Sequence, residues 1–127
     1  MFPADLKYTA EHEWTRVTGD IARIGITDFA QAQLGDVVYV DITKRAGEQV
    51  SHGESFGVVE SVKAASDLFC PVTGTVVAVN ARLAASPELV NQQPYGEGWM
   101  VEVRLANLTE VDALLSAEAY EAALPAE

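Results

Sequence analysis

Apolar and polar positions alternate in short runs along this chain, and a turn former ends nearly every run within a few residues. Thr15-Arg-Val-Thr18 alternates, Gly19-Asp20 interrupts, and Ile21-Ala-Arg-Ile24-Gly-Ile26 resumes, which predicts an N-terminal β-hairpin with a two-residue polar connection. Asp36-Val-Val-Tyr-Val-Asp-Ile42 is a strand by its β-branched and aromatic content, followed by a turn at Lys44-Arg-Ala-Gly47-Glu48. Gln49-Val50 is a further β-like segment before a turn at Ser51-His52-Gly53-Glu54, and Val76 to Val79 runs as strand into Asn80. Trp99-Met-Val-Glu-Val-Arg-Leu105 alternates like a strand with one buried face, and its place is to close the sheet core.

Helical spacing is brief wherever it occurs. Thr27 has the chemistry of an N-cap, Asp28 suits the first turn, Phe29, Ala30, Ala32 and Leu34 recur at partial helical spacing, and Gly35 supplies the stop. A single helical turn is predicted near Arg82 to Leu89, with Ser86 as cap and Pro87 at the first helical position. Gln92 to Gly98 is a loop rich in breakers. A final helix is expected from Asn107 or Thr109 through Val111, Leu114 and Leu115, restarting at Ser116 through Tyr120 and Leu124, with Pro125 marking its end. The fold class predicted is mainly β, with short peripheral helices and a C-terminal helix.

The length of 127 residues suits one domain, 1–127, whose core needs no disulfide or metal to staple it. At 49% hydrophobic residues, with no apolar run near bilayer length and no positively charged leader, the chain reads as a globular protein that is neither secreted nor spanning. Cys70 stands alone, which excludes an intrachain disulfide and leaves packing as its role. A formal net charge of −11 repels nucleic acid and anionic membranes and favours partners with basic patches.

Two β-rich runs, Phe56 to Val62 and Leu68 to Val77, meet at a polar stretch holding one lysine, Lys63. Ser61, Ala64, Ala65 and Ser66 leave its amine without bulky neighbours, as a modification site requires, although an ordinary solvated hairpin lysine has the same surroundings. Lysine is scarce here: only Lys7 and Lys44 accompany it. His12, between Glu11 and Glu13, reads either as a solvated strand entry anchored by Trp14 or, with Glu13 and Asp67, as an acid/base site of a small hydrolase. No nucleophile motif or metal set accompanies the second reading.

Glu60-Ser-Val-Lys63-Ala-Ala-Ser-Asp67, followed by Pro71-Val-Thr-Gly74, closely resembles the lipoyl-attachment segment of H-proteins of the glycine cleavage system. Lipoyl domains of 2-oxo-acid dehydrogenases usually show Asp-Lys-Ala and biotin carriers Met-Lys-Met, whereas this chain has Val62-Lys63-Ala64. The similarity extends over His12-Glu-Trp14, Gly25 to Gln31, Leu34 to Val38, Gly53 to Gly57, Pro87 to Asn91 and Pro94 to Trp99.

The resemblance implies a barrel-sandwich hybrid of two antiparallel sheets, with Lys63 at a hairpin tip carrying covalently attached lipoic acid. It implies a non-catalytic carrier that serves three enzymes: a pyridoxal-phosphate glycine decarboxylase (P-protein), a tetrahydrofolate-dependent aminomethyltransferase (T-protein) and a flavin-dependent dihydrolipoamide dehydrogenase (L-protein). Lipoate-attaching enzymes are further partners, and Glu60 is the contact expected to guide them. Positions matching the cleft that holds the loaded arm are Glu13, Leu34 and Asp67, with Glu11 at a more variable position. A lipoyl donor to other acceptor domains is the alternative of the same fold. The bacterial cytoplasm is the expected location, with a mature mitochondrial matrix form as the alternative.

Overall fold

A computed structural model describes residues 2–124. In chain order its strands are β1 (Lys7–Tyr8), β2 (Glu13–Thr18), β3 (Ile21–Ile26), β4 (Val37–Ile42), β5 (Gln49–Val50), β6 (Ser55–Ser61), β7 (Ala65–Phe69), β8 (Gly74–Val79) and β9 (Val101–Leu105). They form two antiparallel sheets, a six-stranded one ordered β1-β2-β3-β9-β8-β5 and a three-stranded one ordered β4-β6-β7. The helices are short: α1 (Asp28–Leu34), α2 (Arg82–Ala85), α3 (Leu89–Gln92) and α4 (Ala117–Ala123). None among the described residues is long and apolar enough to cross a membrane.

The main core lies between the sheets. Ala22, Ile24 and Ile26 of β3, Val76 of β8 and Val101, Val103 and Leu105 of β9 meet Val40, Phe56, Val59 and Leu68 of the smaller sheet. Cys70 is buried in the same cluster, and burial pushes its thiol up to about 12, so it packs as a small apolar group. Trp14 pairs with Gly25 across β2 and β3 and so faces away from Ile24, on the outer side of the large sheet. A Cβ on Gly25 would lie 2.8 Å from the indole, so only glycine admits this ring. There Trp14 joins Leu6, Tyr8 and Tyr120 in a second apolar cluster, with its Nε1 donating to the Pro94 carbonyl at 2.9 Å.

Thr27 caps α1 as expected, its Oγ1 accepting from Ala30 N at 3.2 Å, and Gly35 ends the helix at a φ of 81°. Four expectations are corrected. The run Leu68 to Val77 is not one strand: β7 ends at Phe69 and β8 begins at Gly74 in the other sheet, the intervening chain crossing between layers. Ser86 does not cap α3 through its side chain; its carbonyl accepts from Leu89 N, and Glu88 stands at the cap. Trp99 and Met100 precede the last strand, which starts at Val101.

The fourth correction concerns the C-terminal region. Leu108–Ala113 is a 3₁₀ helix held by Glu110, whose carboxylate accepts from Thr73 N at 2.6 Å and Thr73 Oγ1 at 2.9 Å. Leu115 then exchanges two 2.8 Å backbone hydrogen bonds with Tyr8, which uses its peptide groups in a β-bridge and forbids helix. α4 restarts behind Ser116, whose Oγ accepts from Ala119 N, and Pro125 lies outside the described residues.

Candidate functional site

Lys63 stands at the tip of the β6–β7 hairpin, in a turn closed by Ser61. Ser61 N donates to the Ala64 carbonyl at 2.8 Å, and Ser61 Oγ accepts from Ala64 N at 3.1 Å and Lys63 N at 3.3 Å. Val62 N donates to the Asp36 carbonyl, which fastens the tip to the start of β4. The lysine stem lies along the end of α1: a Cβ on Gly35 would sit 3.4 Å from Lys63 Cε. That distance is ordinary contact, so what Gly35 supplies is the positive φ that ends the helix and lets the chain turn beneath the stem. Asn91 of α3 holds this junction, donating to the Gly35 carbonyl at 2.9 Å and Gln31 Oε1 at 2.8 Å while its Oδ1 accepts from Val37 N at 2.8 Å.

Next to Gly35, Leu34 forms part of a cleft of about 150 Å³ whose lining also includes Glu11, His12, Glu13, Ser66 and Asp67. Ile26, Ala30, Val59 and Leu68 supply apolar wall. Residues far apart in sequence thus meet at one opening, between β7, α1 and the chain entering β2. Glu60 lies elsewhere, exposed and paired across the hairpin with Ala65. Among the described residues no group of three or more His, Cys, Asp or Glu is arranged to hold a metal.

Glu13 is the unusual group in the cleft. It is 2% exposed, so the strand entry anchored by Trp14 is where the sequence puts it, but at Glu13 it is buried rather than solvated. Thr9 Oγ1 donates to its Oε1 at 2.6 Å and Phe69 N to its Oε2 at 3.3 Å. Burial nevertheless dominates and lifts its carboxyl to about 7, with the nearby Glu11 charge adding to the rise and these hydrogen bonds opposing it. A cation entering the cleft would favour the ionised form and relieve the cost of burying it.

His12 holds the corner from which Glu13 enters β2. Its φ of 76° is rare for a residue with a side chain, and its environment enforces it. His12 N donates to the Thr9 carbonyl, Thr27 N donates to the His12 carbonyl at 3.0 Å, and Nδ1 pairs with Tyr120 Oη at 2.7 Å. Burial lowers the His12 pKa, against an upward pull from Glu11. Tyr120 Oη also lies 2.8 Å from Thr27 Oγ1, so one hydroxyl on α4 ties the His12 corner to the cap of α1. Sequence reasoning missed Thr9 and Tyr120; the latter is 108 residues from His12 and has no local signal.

The family model described as Glycine cleavage H-protein matches residues 6–127. The chain belongs to the glycine cleavage H-protein family. It is 57% identical over 125 residues to the glycine cleavage system H protein of Carboxydothermus hydrogenoformans, covering 98% of this chain and 95% of that protein. It is 58% identical over 120 residues to the glycine cleavage system H protein of Symbiobacterium thermophilum, covering 94% and 93%. The crystal structure of a glycine cleavage system H protein from Mycobacterium marinum superposes with a TM-score of 0.85 at 41% identity, covering 94% of this chain and 96% of that one. With that H-protein neighbour, the two sheets and short helices are the expected barrel-sandwich hybrid.

Proposed function

We propose that this protein is a one-domain, non-catalytic carrier of the glycine cleavage system, with lipoic acid joined as an amide to Lys63 and its loaded end sheltered in the cleft of Glu13, Leu34, Asp67 and Glu11. The observation that carries the reading is the course of the Lys63 stem over Gly35, immediately beside Leu34 at the cleft. When bound, the lipoyl group supplies a disulfide that takes up the aminomethyl unit of glycine and is left as a dithiol to be reoxidised.

The chain's own residues bind, orient and exclude water. The cleft suits an arm that is apolar along its length and cationic at its end, since Leu34, Val59 and Leu68 line it and Glu13 lies among them. Each arm methylene removed from water contributes roughly 0.8 kcal/mol. A charge pair at about 4 Å adds on the order of 1 kcal/mol in water and about 4 at an intermediate effective dielectric. Ordering the arm opposes both, and the modest balance suits cargo that must leave when a partner docks. The partners are the P-, T- and L-proteins, to which a tethered arm presents its end at high effective concentration. Glu60 guides the lipoate-attaching enzymes. We place the carrier in the bacterial cytoplasm, in keeping with its bacterial relatives.

Mass spectrometry of the Lys63 peptide tests this directly. After incubation with lipoate, ATP and a lipoate ligase, the peptide is expected to gain one lipoyl increment, and Lys63→Arg is expected to gain none and to support no glycine breakdown with purified partners. A Lys63→Arg protein with full activity would overturn the carrier reading and favour chemistry at His12, Glu13 and Asp67.

A further inference from the structure

β4 breaks the alternation of its own sheet. Strict alternation along Val37-Val-Tyr-Val40 would send Val37 and Tyr39 to one face and Val38 and Val40 to the other. Instead a bulge falls between Val37, paired with Ser61, and Tyr39, paired with Glu60. Val37 and Val40 are both buried, while Val38 is 53% and Tyr39 49% exposed. Two adjacent large apolar side chains are thus turned outward on an edge strand, a feature that proteins normally suppress unless the edge meets something.

Their position is informative. Val62, 69% exposed, immediately precedes Lys63 and is fastened by its N–H to the Asp36 carbonyl at the start of β4. Of five large hydrophobics exposed among the described residues, three (Val38, Tyr39 and Val62) therefore gather at the lysine end of the small sheet. The cleft opens beside β7, the opposite edge of that sheet, so this patch is separate from the shelter. From Tyr39 a groove of about 240 Å³ continues along β4 to Leu83 and Ala84. Asp36, Asp41 and Glu60 border the patch, all exposed and none in an ion pair with the described lysines and arginines.

We propose that Val38, Tyr39 and Val62 form the docking surface for the enzyme that acylates Lys63, a partner whose contact face is apolar at its centre and basic at its rim. The inference rests on the carrier reading above. Reach selects this partner over those that act later: the unmodified amine extends only one lysine side chain from the backbone, so an enzyme that seats it must close on the residues beside it. Enzymes that act on the distal end of a finished arm can stand farther off. In the step served, the lysine nitrogen attacks the carbonyl carbon of a lipoyl adenylate held by the enzyme. The amide C–N bond forms, the acyl–phosphate bond breaks, AMP leaves, and the amine proton passes to solvent. The acidic border complements a basic rim on the enzyme, and the apolar centre supplies area that excludes water.

The test compares wild type with V38T/Y39T, which places a β-branched, strand-favouring residue at both positions, and with V17T, at an exposed valine on the other sheet. Each is incubated with lipoate, ATP and a purified lipoate ligase, and acylation is followed by intact mass at several protein concentrations. V38T/Y39T is expected to show at least a tenfold rise in KM with kcat little changed and an unaltered urea midpoint, and V17T no change. As a binding readout, K63R is expected to inhibit acylation of wild type competitively, and V38T/Y39T/K63R at least tenfold more weakly. Acylation of V38T/Y39T at the wild-type KM, or equal inhibition by the two K63R proteins, would overturn the docking surface. Failure of wild type itself to accept the acyl group would instead overturn the carrier reading.

Discussion

The tip at Lys63 and the corner at His12–Glu13 are built by opposite means. Every hydrogen bond that shapes the turn Ser61–Ala64 joins residues no more than three apart, with one backbone tether to Asp36. At the corner, His12 reaches Tyr120, Glu13 reaches Phe69, and Trp14 reaches Pro94, so that contacts from four parts of the chain converge. On the proposed carrier function the difference is one of task. A lysine that is to enter another protein's active site needs a turn that forms alone and carries nothing else. A carboxylate held out of water needs a frame that cannot relax to let water in. Local turns open cheaply and converging contacts open together, so the two regions should answer differently to perturbation.

The largest effect is expected at Tyr120. Its ring stacks on Tyr8 at 4.9 Å and meets Phe2 edge-on at 5.0 Å, and its hydroxyl joins His12 to Thr27. Tyr120→Ala should cost about 3–5 kcal/mol, typical of deleting a buried aromatic ring. Tyr120→Phe, which keeps the ring and drops only the shared hydroxyl, should cost roughly 1–3 kcal/mol. Urea denaturation measures both. A Tyr120→Ala protein as stable as wild type would show that α4 is an appendage and that the corner stands without it.

The second perturbation is pH. Burial raises the Glu13 carboxyl from 4.5 to about 7, so the folded state holds this proton more tightly than the unfolded chain does. Its contribution is fully present below pH 4.5 and is lost as pH rises through about 7, on the order of 3 kcal/mol in all. His12 acts in the opposite direction, since its lowered pKa costs stability as pH falls, and wild type alone would show only the sum. The difference between wild type and Glu13→Gln isolates the carboxyl. Between pH 4.5 and 7.5 wild type should lose stability relative to the variant, by an amount that urea midpoints at intervals of half a pH unit resolve. Parallel profiles for the two proteins would mean that Glu13 is hydrated and that the corner excludes no water.

What the sequence makes legible follows the same division. The hairpin over Thr15–Ile26, the capped helix ending at Gly35 and the turn at Lys63 are decided by neighbours within a few residues, and all three are where the pattern puts them. Leu114 and Leu115 mislead because their spacing fits a helix face, whereas the Leu115 peptide groups are claimed by Tyr8 far away in sequence. Val37 to Val40 reads as β in either register, and only pairing with β6 reveals the bulge that turns Val38 and Tyr39 outward. Glu11, Glu13, Leu34 and Asp67 could be grouped from family resemblance, and no periodicity brings them together. Nothing local marks Glu13 as buried, because its neighbours Glu11 and His12 are polar and its burial depends on chain that passes over it from β7 and α1.

The smallest effect is expected at Ser61, and it bears most directly on whether the tip is independent of the rest. Ser61 Oγ accepts from Lys63 N and Ala64 N and donates to the Ala64 carbonyl at 3.2 Å, so Ser61→Ala removes all three contacts in one step. The freed groups are exposed and water takes them up, and the backbone hydrogen bond from Ser61 N to the Ala64 carbonyl remains. The global cost should therefore be under about 1 kcal/mol, less than that of Tyr120→Phe, although the side chain lost makes more hydrogen bonds. Amide exchange should quicken at Lys63 and Ala64 and stay unchanged at Glu13 and Phe69. If exchange instead quickened at the corner as well, tip and corner would form one cooperative unit, and the proposed carrier could not offer its lysine to a partner without loosening the cleft at Glu13.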